Sequence, residues 1–504
     1  MPVPIRHGAL VAAAVLAAFG ASLAAGFHFD DFALFGDPYV TSPSGWWEVW
    51  RPEQTRPLTY FTFWLNYALG ADAPAGYHAV NLLLHLVNSL LLYAALARLA
   101  PGRPALIAAV LFAVHPIQAE PVIYVYARAT LLMTLFCLAG LHLWLRGRRW
   151  WAAAGFALAL LAKEECAAFP VVLVLLHLST PRSRREIAPI AVMFGLALAA
   201  GLRVIHVLSL TPESGAGTGA AYTVGEYLAA QGPVIARYLR LLVFPYGSTV
   251  DPEIQVPPVW QAAVAWGLIL AVAALAARRR RELAWGFWAL AGLVLLLPSS
   301  SVFPADDLAA DRRMYLPLAF LAVVAGLASQ RLHRGVLGAA MVALVMLSVA
   351  RAQVWRDERS LWEEAVERSP GKARPKIRLS RVVEFERAIE LLGQAQTIAP
   401  EDPRIASELG RRLLEAGDPG RSLGEFGRAL ALDPRNPLAF NNRGVVLLAL
   451  GQREAARNDF ESALRLNPCL FDARFNLRRM GVVTAAPADC RYTPDQRRAL
   501  GLSR

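Results

Sequence analysis

Apolar residues gather into eleven runs over the first 351 positions, at 8–26, 78–97, 104–120, 122–145, 150–163, 165–178, 187–208, 259–277, 283–299, 315–330 and 335–351. A bilayer core of about 30 Å takes about 20 helical residues, so the pattern predicts about eleven transmembrane helices. The first run follows Arg6 and lacks a small-residue cleavage site, which predicts a retained anchor helix.

The polar breaks between runs alternate in character. Arg6, Arg98 with Arg103, Arg146 with Arg148 and Arg149, Arg182 with Arg184 and Arg185, Arg278 through Arg281, and Arg331 with Arg334 all fall on every second connection. Cytoplasmic loops carry such excess basic charge. Loops 27–77, 209–258 and 299–314 are then expected outside the cytoplasm, together with everything after about 352. The expected setting is the bacterial cytoplasmic (inner) membrane. Within 209–258 the stretch GPVIARYLRLLVFP is amphipathic and should lie along the interface.

Past 352 the pattern becomes soluble and repetitive. Gly410 and Gly444 are 34 residues apart, as are Leu413 and Leu447, Phe426 and Phe460, Ala429 and Ala463, and Pro434 and Pro468. That is the tetratricopeptide period. A half unit, SLWEEAVERSP, ends at Pro370, and a shortened unit ends at Pro400. The fold class expected is therefore all-α: a membrane helix bundle over 1–351, a repeat solenoid over 352–484 and a tail over 485–504. Such solenoids hold a peptide or helix of a partner protein.

Composition agrees with lipid as the main solvent: 56% of residues are hydrophobic and 18% are charged, against about a quarter charged in soluble proteins. The net charge of +12 is spread over separate loops, which argues against a nucleic-acid partner. The four cysteines show no metal-ligand spacing. Cys137 and Cys166 read as inert core residues. Cys469 and Cys490 would lie in an oxidising compartment, where a bond between them would close a loop around the last repeat helix.

Several polar residues sit where lipid should discourage them. The first outer loop opens with HFDDF, and two adjacent carboxylates at a membrane surface should repel and lose hydration, raising one pKa towards a general base's range. Asp30 and Asp31 are therefore the catalytic candidates, set against a merely solvated acidic helix end. His78, Asn81, His85 and Asn88 follow a 3-4-3 spacing and share one helix face, which suits either interhelical hydrogen bonding or ligand contact. A second group, His115, Gln118, Glu120 and Arg128, lies at an outer turn. Lys163, the only lysine before the repeats, stands beside Glu164 and Glu165, as a local ion pair or a phosphate contact. Arg312 and Arg313 are placed either to clamp a lipid phosphate or to anchor the helix at the interface. Asp306, Asp307 and Asp311 suit a divalent cation or the balancing of those arginines.

The order of motifs carries more than each alone. FHFDDF, RPLTYFTFWLNYALG, GYHAVNLLLHLVNSLLL, HPIQAEPVIYVYARATLL, LAKEE, DRRMYLP and VWRDERSLWEEAVERSP, followed by repeats, resemble the transmembrane-and-tetratricopeptide-repeat O-mannosyltransferase family and its bacterial relatives. The resemblance implies a C-type glycosyltransferase fold that takes a hexose from a polyprenyl-phosphate donor and gives it to a hydroxyl of a protein or glycan. It maps the essential acid to Asp30, with Asp31 adjacent. The third-loop motif differs by having Asp311 for a glutamate and a second arginine after Arg312; Tyr315 belongs to the same motif. Topology adds that outside the cytoplasm a lipid-linked sugar must serve as donor. Two other readings compete: a non-catalytic scaffold for envelope assembly, and an O-antigen ligase or polymerase, which would keep its key residues in one late loop.

Overall fold

The computed structural model describes residues 4–502 apart from 53, 181–185, 211–219, 301–302 and 489; Arg182, Arg184 and Arg185 lie outside the described residues. It is helical throughout and divides into two units, 1–31 with 46–357, and 32–45 with 358–504. Helices of seven residues or more are numbered below.

In the first unit the helices are α1 (Ile5–Phe19), α2 (Pro57–Gly70), α3 (Pro74–Leu99), α4 (Arg103–Val114), α5 (Arg128–Leu145), α6 (Arg149–Ala162), α7 (Phe169–Ser179), α8 (Ile187–Leu210), α9 (Val224–Val243), α10 (Val259–Arg278), α11 (Trp285–Leu296), α12 (Tyr315–Ala328) and α13 (Arg334–Val354). A helix stands at every one of the eleven apolar runs, but the runs are not equivalent. Among the described residues seven helical spans are long and apolar enough to cross a membrane, or eight if α4 and its continuation count as one.

The difference has local causes. The run 104–120 is broken after α4 and bends by 49°. Pro116 supplies no N–H and pushes His115 out of the helical region, to φ −72° and ψ 132°. The adjoining runs 150–163 and 165–178 are parted at Lys163, which is extended at φ −163°. At 1.5 Å per residue the 14 residues of α6 reach only about 21 Å. These breaks put irregular backbone inside the bundle, where it is tolerated only around buried polar groups or a cavity.

The stretch expected to lie along the interface forms the second half of α9. The buried face of α9 carries Tyr227, Gln231 and Tyr238, and these hold the loop that leads from α11 to α12. The Tyr227 hydroxyl donates to the Ser299 carbonyl at 2.7 Å, Gln231 to Leu308 at 3.1 Å, and Tyr238 to Ala310 at 2.9 Å.

The second unit contains α14 (Glu358–Arg368), α15 (Ala373–Leu379), α16 (Phe385–Ile398), α17 (Pro403–Glu415), α18 (Pro419–Leu432), α19 (Pro437–Ala449), α20 (Arg453–Leu466), α21 (Phe471–Arg479) and α22 (Pro494–Leu500). The repeat has a steric origin. A Cβ on Gly410 would come within 2.8 Å of the Phe426 ring, and one on Gly444 within 2.6 Å of Phe460. The glycine and the phenylalanine 16 residues later are thus one interlocking pair. The shortened unit is explained by α15, seven residues long where α17 and α19 have 13. Cys469 and Cys490 are bonded, with Cα atoms 5.1 Å apart. The guanidinium of the neighbouring Arg491 lies over the Tyr39 ring, 4.7 Å from its centroid, so a piece of the first loop packs with the end of the repeats.

Candidate active site

The two aspartates of HFDDF have different surroundings. Phe29 before them has φ 24°, a value that L side chains rarely adopt, and stores strain at this turn. Asp31 is fully buried and accepts from the backbone N–H of Tyr126 at 2.7 Å and of His28 at 3.0 Å. Asp30 is exposed and accepts from the Tyr124 hydroxyl at 2.8 Å. One carboxylate pins the loop and the other looks outward.

Burial pushes the Asp31 carboxyl up to about 8, and the charge of Asp30 adds to the rise against the hydrogen bonds from His28 and Tyr126. One member of the pair does rise, as expected, but desolvation outweighs repulsion and the member concerned is the buried one. His28 is held neutral, lowered to about 4 by burial, while its Nε2 donates to the Trp355 carbonyl at 2.8 Å.

The raised Asp31 makes a pH prediction. Its folded pKa lies above the ordinary 3.8, so its contribution to stability is full below about pH 4 and is lost as pH rises towards 8. The unfolding free energy of the purified protein should fall between about pH 5 and 8, with a slope of up to about 1.4 kcal/mol per pH unit, and its melting temperature should fall with it. Asp31→Asn should flatten that slope; an unchanged slope would assign it to another group.

Three basic residues and their acids are linked to this turn by way of Arg312. Arg312 contacts Glu120 through its side chain at 2.5 Å and its backbone N–H at 3.0 Å, with Asp307 at 3.6 Å. Its charge reaches the Tyr124 hydroxyl, as do those of Asp30 and Asp31. Lys163 is buried, bonded to Thr130 at 3.0 Å and paired with Glu165 at 2.9 Å. Glu164 instead turns to Arg56, at 2.8 and 3.3 Å. Arg313 differs from these. It donates to the carbonyls of Asp307 and Leu308 at 2.8 and 3.1 Å and to the Tyr227 hydroxyl at 3.4 Å. Those hydrogen-bond partners are neutral groups, and the acid whose charge reaches it, Glu165, is already paired with Lys163.

The polar stripe on α3 serves the bundle. All four side chains are fully buried. His78 donates to Gly26 at 3.2 Å; Asn81 accepts from Arg128 at 2.8 Å; His85 meets Ala113 and Tyr315 at 3.0 and 2.8 Å; Asn88 bonds Leu131 and Tyr315 at 3.0 and 3.2 Å. Arg128, also wholly buried, adds bonds to Asn66 and Tyr77 at 2.6 and 3.1 Å and lies over the Phe63 ring. These residues tie α2, α3, α5 and α12 together and reach the turn before Asp30 through Gly26. His115 accepts from the Ile117 N–H and its Nε2 meets the Leu242 carbonyl at 3.2 Å, and Gln118 donates to the Phe112 carbonyl. Of the substrate-contact candidates, Arg312 and its partner Glu120 stand beside the Tyr124 hydroxyl that holds Asp30, and Lys163, Glu164 and Arg313 are linked onward to Arg312 by charge, whereas His78, Asn81, His85, His115, Arg128 and Tyr315 are engaged inside the bundle.

The third-loop carboxylates are used singly. Asp306 accepts from Ala221 N–H, Asp307 faces Arg312, and Asp311 pairs with Arg237 at 2.7 Å. Among the described residues no group of three or more carboxylate, histidine or cysteine side chains converges as a metal site. Sequence reasoning missed Tyr124, Arg56 and Arg237. Tyr124 and Arg56 stand in motifs read above, and their signal was a polar side chain beside a helix break.

Comparison with known proteins gives a consistent picture. Residues 51–208 match the family described as dolichyl-phosphate-mannose-protein mannosyltransferase. Protein O-mannosyl-transferase F38B6.6 of Caenorhabditis elegans is 26% identical over 355 residues, which is 65% of this chain and 51% of that protein. Human protein O-mannosyl-transferase TMTC3 is 34% identical over 149 residues, 27% of this chain and 16% of the human protein. The chain thus spans about half the length of the worm relative and about a sixth of the human one. Among solved structures, an Archaeoglobus fulgidus oligosaccharyltransferase tethered to an acceptor peptide aligns with TM-score 0.38 and 12% identity over 71% of this chain and 56% of its own. A tetratricopeptide protein of Thermus thermophilus aligns with TM-score 0.23 and 18% identity over 32% and 88%. The resemblance to the transmembrane-and-tetratricopeptide-repeat O-mannosyltransferase family is borne out by both the family match and the relatives.

Proposed function

We propose that this chain is a membrane glycosyltransferase that moves mannose or another hexose from a polyprenyl phosphate to a protein hydroxyl, on the outer side of the membrane and with inversion at C1. The observation that carries the reading is an exposed Asp30 held by Tyr124, whose hydroxyl also lies within reach of the charge of Arg312, with Lys163 and Arg313 next to that arginine. The relatives named as protein O-mannosyl-transferases support mannose and a protein acceptor.

The chemistry requires one base and a set of cations. The acceptor hydroxyl loses its proton to Asp30 as its oxygen forms the new bond to C1. The bond from C1 to the phosphate oxygen breaks through an oxocarbenium-like state, and the electron pair leaves with the polyprenyl phosphate. That leaving group is already an anion and needs charge neutralisation, which Arg313 and Lys163 supply. Tyr124 orients Asp30 by occupying one of its oxygens. Arg312, tied to Glu120, sets the third loop. A groove of about 450 Å³ in the repeat unit, lined by Arg381, Arg404, Arg411, Glu408, Asn436 and Asn442, suits an extended polar acceptor segment.

Proteoliposomes containing the full chain should transfer labelled mannose from synthetic polyprenyl-phosphate mannose to acceptor protein from the same cell envelope, with the anomeric configuration inverted. No transfer from mannose or glucose donors, with the protein folded, would overturn the reading. Orientation is tested separately. A fusion at residue 400 should be active as alkaline phosphatase and dark as a cytoplasmic fluorescent protein; the reverse would put the acceptor surface on the wrong side.

A further inference from the structure

Far from HFDDF along α1, the amino-terminal ends of α1, α4 and α13 enclose a cavity of about 740 Å³. Its walls are apolar, formed by Leu10 of α1, Leu106 and Val110 of α4, and Leu337 and Met341 of α13. Its rim is cationic, formed by Arg6, Arg103 and Arg334. From Arg103 to Val110, and from Arg334 to Met341, the apolar wall extends for about 10 Å at 1.5 Å per residue.

The charge on the rim is not compensated by protein. Among the described residues none of these three arginines forms an ion pair, and no acid lines the cavity. Residues 1–3, the neighbouring segment outside the description, contain no acid either. Arg103 donates only to the backbone carbonyls of Gln330 and Leu332, at 3.1 and 3.2 Å, which fixes its position without neutralising it. His7, between the rim and the wall, is bonded to the Tyr93 hydroxyl at 2.7 Å. An apolar trough in a lipid-facing surface, closed by three arginines at the level of the helix ends, complements a molecule with an acyl chain and an anionic phosphate.

We propose that this cavity binds an anionic glycerophospholipid of the Arg-rich leaflet, with its phosphate among Arg6, Arg103 and Arg334 and an acyl chain between α1, α4 and α13. The site requires only that the helices cross the bilayer, so it stands whether or not the chain transfers sugars.

The test uses the full chain in mild detergent, read by native mass spectrometry after titration with phosphatidylglycerol or phosphatidylcholine. The wild type should retain phosphatidylglycerol at least 10-fold more tightly than phosphatidylcholine. Inorganic phosphate should not displace it at equal concentration, because the acyl chain contributes to binding. The triple variant R6Q/R103Q/R334Q should lose the preference; the three positions are exposed, so folding is not expected to depend on them. Leu337→Trp, which fills the trough and keeps the arginines, should lower retention of both lipids. Equal retention of the two lipids by the wild type, or an undiminished preference in the triple variant, would overturn the proposal and leave the arginines as interfacial anchors.

Discussion

Asp30→Asn should lower sugar transfer by roughly 10²–10⁴-fold, the usual worth of a general base, with binding of the lipid-linked donor nearly unchanged. The substitution keeps shape and can still accept from Tyr124, whose hydroxyl is 2.8 Å from Asp30. What it removes is the proton acceptor. On the proposed reaction the phosphate would be held by other side chains, so donor binding is spared and the loss falls on turnover. The adjacent carboxylate gives the control. Asp31 is buried and bonded to two backbone N–H groups, so Asp31→Asn should act on stability and its pH dependence more than on transfer. Near-normal transfer by a folded Asp30→Asn protein would take HFDDF out of the chemistry and favour the scaffold reading.

That division between the two aspartates shows what the sequence could convey. Adjacent carboxylates after an apolar helix are visible in one dimension, and so is the likelihood of a raised pKa. Which carboxylate is buried depends on the backbone N–H of Tyr126, 95 residues away, and no local pattern encodes it. The α3 stripe behaves in the same way. Its 3-4-3 spacing correctly places four polar side chains on one buried face, but their use as interhelical bonds is decided by distant partners, Arg128 for Asn81 and, 230 residues from His85, Tyr315 for His85 and Asn88. The repeats were the most legible part, because each glycine and phenylalanine pair is a short-range contact that recurs at a fixed period. The membrane helices were legible as apolar runs and less so as crossings. Pro116 and the extended Lys163 shorten them, and both breaks lie at the polar cluster, where local regularity gives way to the arrangement of charges.

Arg313→Ala should produce the second large effect, a loss of roughly 10²–10³-fold in transfer, as when one preorganised donor to a developing anion is removed. Unlike Asp30→Asn, it should also weaken donor binding, by about tenfold for a lost charged hydrogen bond worth about 1.5 kcal/mol. The reason for choosing Arg313 over its neighbour is electrostatic. Arg312 is committed to Glu120 and Asp307, and replacing it would strand Glu120, which is 4% exposed; its loss would mix folding with function. Arg313 is bonded to two carbonyls and a hydroxyl and shares Glu165 with Lys163, so on the proposed reaction its charge would serve a phosphate that is anionic in the bound donor and more so in the departing product. A charge that acts in both states should appear in binding and in turnover. Arg313→Lys keeps the charge but cannot hold both carbonyls and a phosphate in one planar fork, and should fall between wild type and Ala. Donor affinity equal to wild type in Arg313→Ala, measured with a non-transferable polyprenyl-phosphate sugar analogue, would assign the phosphate to Lys163 or Arg312.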